Sequence, residues 1–220
     1  WRRLFQGACT KAAPGTCRRT RAIAFTPVGP IQQAYDGRSH RLAMSDPEFA
    51  QRRQEMLGVI TAQTVFLTGR LGKAALDRRV MAAMAEVPRH EFVPPELQPF
   101  AYADSPLPIG CGKTISQPFI VALMTDLLDP AETDVVLEVG TGLGYQSAVL
   151  ARLVRQVYSI ELIDELAAGA RQRFARLGIQ NIEVRISDGR AGWPEHAPFR
   201  KIIVTAAPES VPPELIRQLA

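Results

Sequence analysis

Apolar positions along the chain change their period twice. From Asp46 to about Val87 they recur at helical spacing: Leu76, Val80, Met81 and Met84 form one stripe, and Pro88 closes it. This predicts helices separated by glycine. Between Val87 and Pro118 the periodicity fades into a proline-rich stretch holding Phe92, Phe100 and Tyr102. A long irregular segment with its own aromatics is expected to be functional rather than a plain linker. The helical stripe returns with Ile120, Leu123, Met124, Leu127 and Leu128; Ser116 is the expected cap and Pro118 suits the first turn.

Beyond this helix, short apolar runs alternate with helical patterns. Strands are predicted at Val135–Val139, Gln156–Ile160, Ile182–Ile186 and Lys201–Thr205. Helices are predicted at Tyr145–Leu153, at Ile163–Leu177 with Gly178 as the stop, and from Pro213 to Leu219. Strand–helix–strand units linked by short turns imply right-handed crossovers and a parallel sheet covered on both faces. The fold class is therefore α/β, doubly wound and Rossmann-like, with N-terminal helices. Four strands are only part of such a sheet and the sequence stops in a helical pattern at Ala220, so further C-terminal strands are expected.

Charge divides the chain. Residues 1–43 carry eight Lys or Arg against the single acid Asp36, whereas the whole chain has a net charge of only +4, so the remainder is mildly acidic. The basic stretch lacks periodicity and reads as a disordered leader, with a nucleic-acid arm or an organelle-targeting peptide left open. Met44 is the more natural start, because Ser45 or Asp46 with Pro47 makes a good helix opening. Three regions follow: a leader, 1–43; a helical and proline-rich substrate-side region, 44–130; and a ligand-binding α/β region, 131–220. No apolar run reaches the roughly 18 to 20 residues that span a bilayer, and Cys9, Cys17 and Cys111 form no CxxC pair. A reducing, cytoplasmic setting is expected. His40, His90 and His196 are scattered, and no metal site is predicted.

The most informative stretch is VLEVGTGLGYQS, Val136 to Ser147, where a buried strand enters a glycine turn and then a helix. In a doubly wound sheet the first such turn faces the ligand. A dinucleotide fingerprint needs G-x-G-x-x-G, yet counting from Gly140 its third glycine falls on Tyr145, so that ligand fails. What stands there is acid-x-G-x-G-x-G, with Glu138 inside the strand end, followed by Gly140, Thr141, Gly142 and Gly144. A carboxylate there disfavours pyrophosphate and favours a ligand carrying a sulfonium and an ammonium, namely S-adenosylmethionine. Glu161, at the end of the second strand, is placed to accept from both ribose hydroxyls. Asp188 after the third strand can accept from the adenine amino group, and Gly189 lets backbone approach the ring. Each has a plainer reading: a tight turn, a solvated strand-end acid, and an Asx-turn.

With these motifs in view the chain resembles the protein-L-isoaspartate O-methyltransferases. The resemblance rests on RVMAAMAEVPRHEFVP, AYADSPLPIG, LPIGCGKTISQPFIVALMTDLL, VLEVGTGLGYQSAVLARLV, VYSIE, SDGRAGWPEHAPF and KIIVTAAPESVPPEL, in family order from about Met56 to Ala220. TISQP is the most discriminating piece. Leu143 stands where the family usually has serine, and Arg200 where it usually has an acid. The resemblance implies an active-site serine at Ser116 with Thr114 and Gln117 beside it, and donor contacts at Glu138, Gly140, Gly142, Glu161, Asp188 and Gly189. It implies methyl transfer from S-adenosylmethionine to the free carboxylate of isoaspartyl residues in damaged proteins, by a cytoplasmic monomer without nucleic-acid or membrane partners. An isoaspartyl carboxylate, with a pKa of about 4, is already a nucleophile at neutral pH, so no general base is required. Specificity is expected from the proline-rich segment and the loop Thr205–Glu209. A methyltransferase of another acceptor, or a noncatalytic donor-binding homologue, remain the alternatives.

Overall fold

The computed structural model describes residues 22–24, 44–206 and 208–220. The reading of the leader as disordered otherwise lies outside the described residues. Four strands, β4 (Val135–Val139), β5 (Gln156–Glu161), β6 (Ile182–Ile186) and β7 (Lys201–Val204), build a parallel sheet where the sequence predicts them. A short strand β1 (Ala22–Ala24), drawn from the predicted leader, adds a parallel edge, giving the order β1-β7-β4-β5-β6.

The order carries the functional geometry. The chain steps from β4 outward through β5 to β6 and then returns to the other side of β4 as β7. The direction of winding therefore reverses between β4 and β7. A crevice opens beyond the carboxyl ends of strands at such a reversal, because the connections leave in opposite directions.

One face of the sheet is covered by α4 (Pro118–Leu128), α5 (Tyr145–Ala151) and α6 (Asp164–Arg176). Behind them lie α1 (Asp46–Phe66), the short α2 (Thr68–Leu71) and α3 (Arg78–Glu86). A single buried apolar cluster runs from Phe49 and Met56 of α1, through Met84 and Phe119, to Val136, Val157 and Ile203 of the sheet. Residues 44–130 and 131–220 thus share one core. The opposite face buries Leu137, Val139, Ile160, Ile202 and Val204 against Trp193, Phe199 and Leu215, the last from α7 (Pro213–Arg217).

Two predicted features differ. The glycines of the N-terminal region do not all separate helices: α1 runs through Gly58, where a Cβ would meet no atom within 4 Å, while Gly72 ends α2 at φ 72°. An interior glycine costs a helix only about 1 kcal/mol, which the burial of Met56 and Ile60 offsets. The proline-rich stretch is also less irregular than its periodicity implies. Prolines start or punctuate two 3-10 turns, Arg89–Phe92 and Pro95–Phe100, and a hairpin follows from β2 (Leu107–Gly110) and β3 (Lys113–Ile115). Pieces this short leave no helical or strand period for a sequence window to detect.

Candidate active site

The glycine turn begins where β4 ends. Gly140, Gly142 and Gly144 have φ of 107°, 56° and 99°, values that strain a residue with a side chain. At Gly140 there is also no room: a Cβ would stand 2.8 Å from the Ala206 backbone nitrogen and from Thr205 Oγ1. Thr205 Oγ1 donates to the Gly140 carbonyl at 2.6 Å, tying the end of β7 to the turn.

The three strand-end acids fare differently. Glu161 braces the turn: Oε2 accepts from the Gly142 N–H at 2.8 Å, and Oε1 from the N–H groups of Leu162 and Ile163 at 2.9 and 3.1 Å. Of about four acceptor sites on a carboxylate, three are thus occupied by backbone. Glu138 faces inward beneath α5, wholly buried, where Oε2 accepts from Ser147 Oγ and from Ser159 Oγ, the latter at 2.6 Å. Its Oε1 has no partner. Burial pushes this carboxyl up to about 7, against the lowering pull of the two hydroxyls. Thr141 Oγ1 lies 2.6 Å from Ser159 Oγ, so a chain of hydroxyls links the turn to Glu138. Asp188, nearly half exposed, accepts from the Arg190 N–H at 3.0 Å and pairs with its guanidinium at 2.6 Å. These bonds hold its carboxyl below the usual range. The local turn expected as its plainer role is present. Gly189 is required by packing, since a Cβ there would fall 2.3 Å from Val139 Cγ1.

On the other side stands the segment Thr114–Gln117, which runs from the end of β3 to the start of α4. The expected cap is corrected here: Gln117, not Ser116, occupies the N-cap position of α4, and no side chain of that residue caps the helix. With Pro118 opening the helix, the next available donor, the Phe119 N–H, is instead taken at 2.9 Å by Asp104 Oδ1 from the preceding loop. A carboxylate suits this end of the helix dipole. Ser116 Oγ has no hydrogen-bond partner among the described residues, and the residue lines a cleft with Thr114, Gly140, Gly142, Gly144 and Thr205. Gln117, Glu138, Glu161, Asp188 and Gly189 do not line it.

Sequence reasoning missed Arg89 and Asp104 as parts of this arrangement; Thr205, which opens the loop expected to give specificity, does line the cleft. Arg89 is fully buried; Nε donates to the Ala101 carbonyl and Nη2 to the Ser116 carbonyl, both at 2.7 Å, and its guanidinium lies 4.7 Å from the centre of the Tyr145 ring. Burial lowers it to about 10, leaving it cationic at neutral pH. Thr205 is legible as the first residue beyond a strand at the winding reversal. Arg89 and Asp104 carry no signal of that kind.

Comparison with known proteins bears on this cleft. The model of the protein-L-isoaspartate(D-aspartate) O-methyltransferase family matches residues 63–220. Protein-L-isoaspartate O-methyltransferase 1 of Polaromonas sp. (strain JS666) is 62% identical over 176 residues, covering 80% of this chain and 75% of that protein. Protein-L-isoaspartate O-methyltransferase 2 of Nitrosococcus oceani is 60% identical over 166 residues, 76% of each chain. Among solved structures, a protein-L-isoaspartate O-methyltransferase superposes with a TM-score of 0.65 at 28% identity over 76% of this chain; the present chain spans 52% of that protein's length. A second, from Plasmodium falciparum and in complex with S-adenosyl-L-homocysteine, has a TM-score of 0.63 at 21% identity, covering 76% of this chain and 79% of that one, and supports the fold.

Proposed function

We infer that this chain, which belongs to the protein-L-isoaspartate(D-aspartate) O-methyltransferase family, divides its reaction between the two walls of one cleft. It methylates the free carboxylate of isoaspartyl residues in damaged proteins, with S-adenosylmethionine as donor, and so initiates their repair. The observation that carries this reading is the juxtaposition, in one cleft, of Ser116, whose hydroxyl has no partner among the described residues, with a glycine turn too tight for any side chain at Gly140.

The residues present fit the donor. Gly140 to Gly144 offer backbone rather than side chains to the ligand, and the acids Glu138 and Glu161 lie behind and beside them. When bound, S-adenosylmethionine supplies an electrophilic methyl on a sulfonium and departs as a neutral thioether once a carboxylate oxygen has taken that methyl. Glu138, buried under the turn with its carboxyl raised to about 7, favours a cationic over a neutral ligand there in its ionised form. Glu161 holds the turn through Gly142 and keeps about one acceptor site for a ribose hydroxyl. Asp188 and Gly189 would hold the adenine end, Asp188 being already paired with Arg190.

Ser116 and Thr114 act on the substrate. Their hydroxyls hold one oxygen of the isoaspartyl carboxylate, so that the other points across the cleft toward the glycine turn. The carboxylate is ionised at neutral pH and no proton has to be moved. What the protein contributes is alignment and exclusion of water, and alignment of this kind can reach effective molarities on the order of 10⁵ to 10⁸ M. Gln117 belongs to this wall through its tether to Asp104. The proline-rich segment and the loop after β7 accept the polypeptide around the isoaspartyl residue.

The chain acts as a cytoplasmic monomer without nucleic-acid or membrane partners. The mildly acidic balance of residues 44–220 supports the absence of a polyanionic partner; among the described residues, no helix is long and apolar enough to cross a membrane. The test is transfer of labelled methyl to paired peptides that differ only in one isoaspartyl or aspartyl residue. Base-labile ester on the isoaspartyl peptide alone is expected. Equal labelling of both, or of neither, would overturn the assignment.

A further inference from the structure

The loop carrying Ser116 is held by side chains that come from outside it. Arg89 grips the Ser116 carbonyl from the interior. At the start of α4, three donors converge on the Asp104 carboxylate: the Phe119 N–H on Oδ1 at 2.9 Å, and on Oδ2 the side-chain amides of Gln117, at 2.7 Å, and of Gln63 from α1. Among the described residues no Lys, Arg or His forms an ion pair with Asp104, so amide donors alone satisfy it. Asp104 is half-buried and does not line the cleft. One carboxylate thus joins α1, the start of α4 and the residue that follows Ser116.

We propose that Asp104 is a positioning residue for methyl transfer: by holding Gln117 and the Phe119 amide together it sets where the Ser116 hydroxyl stands in the cleft, without touching donor or substrate. The proposal rests on the reading of Ser116 as the group that holds the substrate carboxylate. The chemistry explains why an acid serves here. A helix amide and two side-chain amides all present hydrogens, and a carboxylate accepts from all three at once. It also explains why Gln117 does not reach into the cleft, since its amide is already engaged on Asp104.

Two substitutions separate position from charge. Asp104→Ala removes every acceptor. Asp104→Asn removes the charge but keeps the tether, because its oxygen can still accept from the Phe119 N–H while Gln63 and Gln117 turn their own oxygens toward its NH2 group. Arg89 variants are poorer probes, because that cation lies wholly within the core. The experiment is turnover of an isoaspartyl peptide at saturating donor, with the dissociation constant of S-adenosylhomocysteine measured on the same proteins. Asp104→Ala is expected to lower kcat by about 10- to 100-fold, the scale of a misplacement near 1 Å, at an unchanged dissociation constant, and Asp104→Asn to restore most of the loss. The proposal is overturned if Asp104→Ala turns over at the unmodified rate, if ligand affinity falls in step with kcat, or if Asp104→Asn is as slow as Asp104→Ala. If the unmodified chain forms no ester on the isoaspartyl peptide, the assigned reaction falls, and this proposal with it.

Discussion

The two walls of the cleft are made in different ways. On the donor side, shape is fixed by backbone: three glycines at positive φ, one of them with the Ala206 backbone, just beyond β7, 2.8 Å from where a side chain would begin, and a neighbouring acid hydrogen-bonded to the turn itself. On the acceptor side, shape is fixed by side chains from distant segments: Arg89 and Asp104 hold a loop that has little regular structure of its own. A backbone cradle tolerates almost no substitution and suits a ligand that never varies. A tethered loop tolerates adjustment and suits an acceptor embedded in many different polypeptides.

That contrast breaks most visibly at Gly140. Gly140→Ala combines a positive φ, costing on the order of 1–3 kcal/mol, with a clash against backbone that cannot swing aside. It is expected to lower the thermal unfolding midpoint and abolish donor binding together, read by calorimetry and by ligand titration. A protein that binds donor normally would show that the turn is not the cradle.

Glu138 sharpens the donor side through pH. The folded chain keeps its proton up to about pH 7, whereas the unfolded chain releases it near 4.5. Between those values the folded state binds more protons, so stability falls as pH rises from about 4.5 to about 7 and is level above, by up to about 3 kcal/mol from this group. Glu138→Gln should remove that slope in denaturant unfolding of the donor-free protein at a series of pH values. An unchanged slope would place the titrating group elsewhere.

On the acceptor side the expected effect is on rate. Ser116→Ala removes one hydrogen bond to a charged group, worth about 1.5–3 kcal/mol, so turnover should fall by roughly 10- to 100-fold while the fold is kept. Turnover at the unmodified rate would remove Ser116 from the reaction. The smallest change is expected at Asp188, which is exposed and already shared with Arg190. Asp188→Asn should weaken donor affinity only slightly, by far less than Gly140→Ala, in the same titration.

The same contrast explains what is legible in the sequence. The glycine turn, the four strands and α4 to α6 rest on local spacing, and spacing is visible along a chain. Ser45, Pro47 and Glu48 likewise announce the start of α1, where the Ser45 N–H meets the Glu48 carboxylate at 2.7 Å. The acceptor wall depends on pairs separated by many residues, such as Arg89 with Ser116 and Gln63 with Asp104, and a single sequence carries no record of them. Serine shortly before proline is a sound local signal for a cap, yet at α4 a carboxylate from another loop takes the place that Ser116 is expected to fill. Glu161 is recognisable in the sequence as a strand-end acid beside the glycine turn, but its capture of three backbone amides depends on how the turn folds back, which spacing does not encode.

The measurement that reaches furthest is the dissociation constant of S-adenosylhomocysteine for Gly140→Ala and Ser116→Ala, taken side by side with the unmodified chain. If the donor wall is backbone and the acceptor wall is a separately tethered loop, the first protein loses binding and the second keeps it unchanged. Loss of affinity in Ser116→Ala, or its retention in Gly140→Ala, would contradict that division.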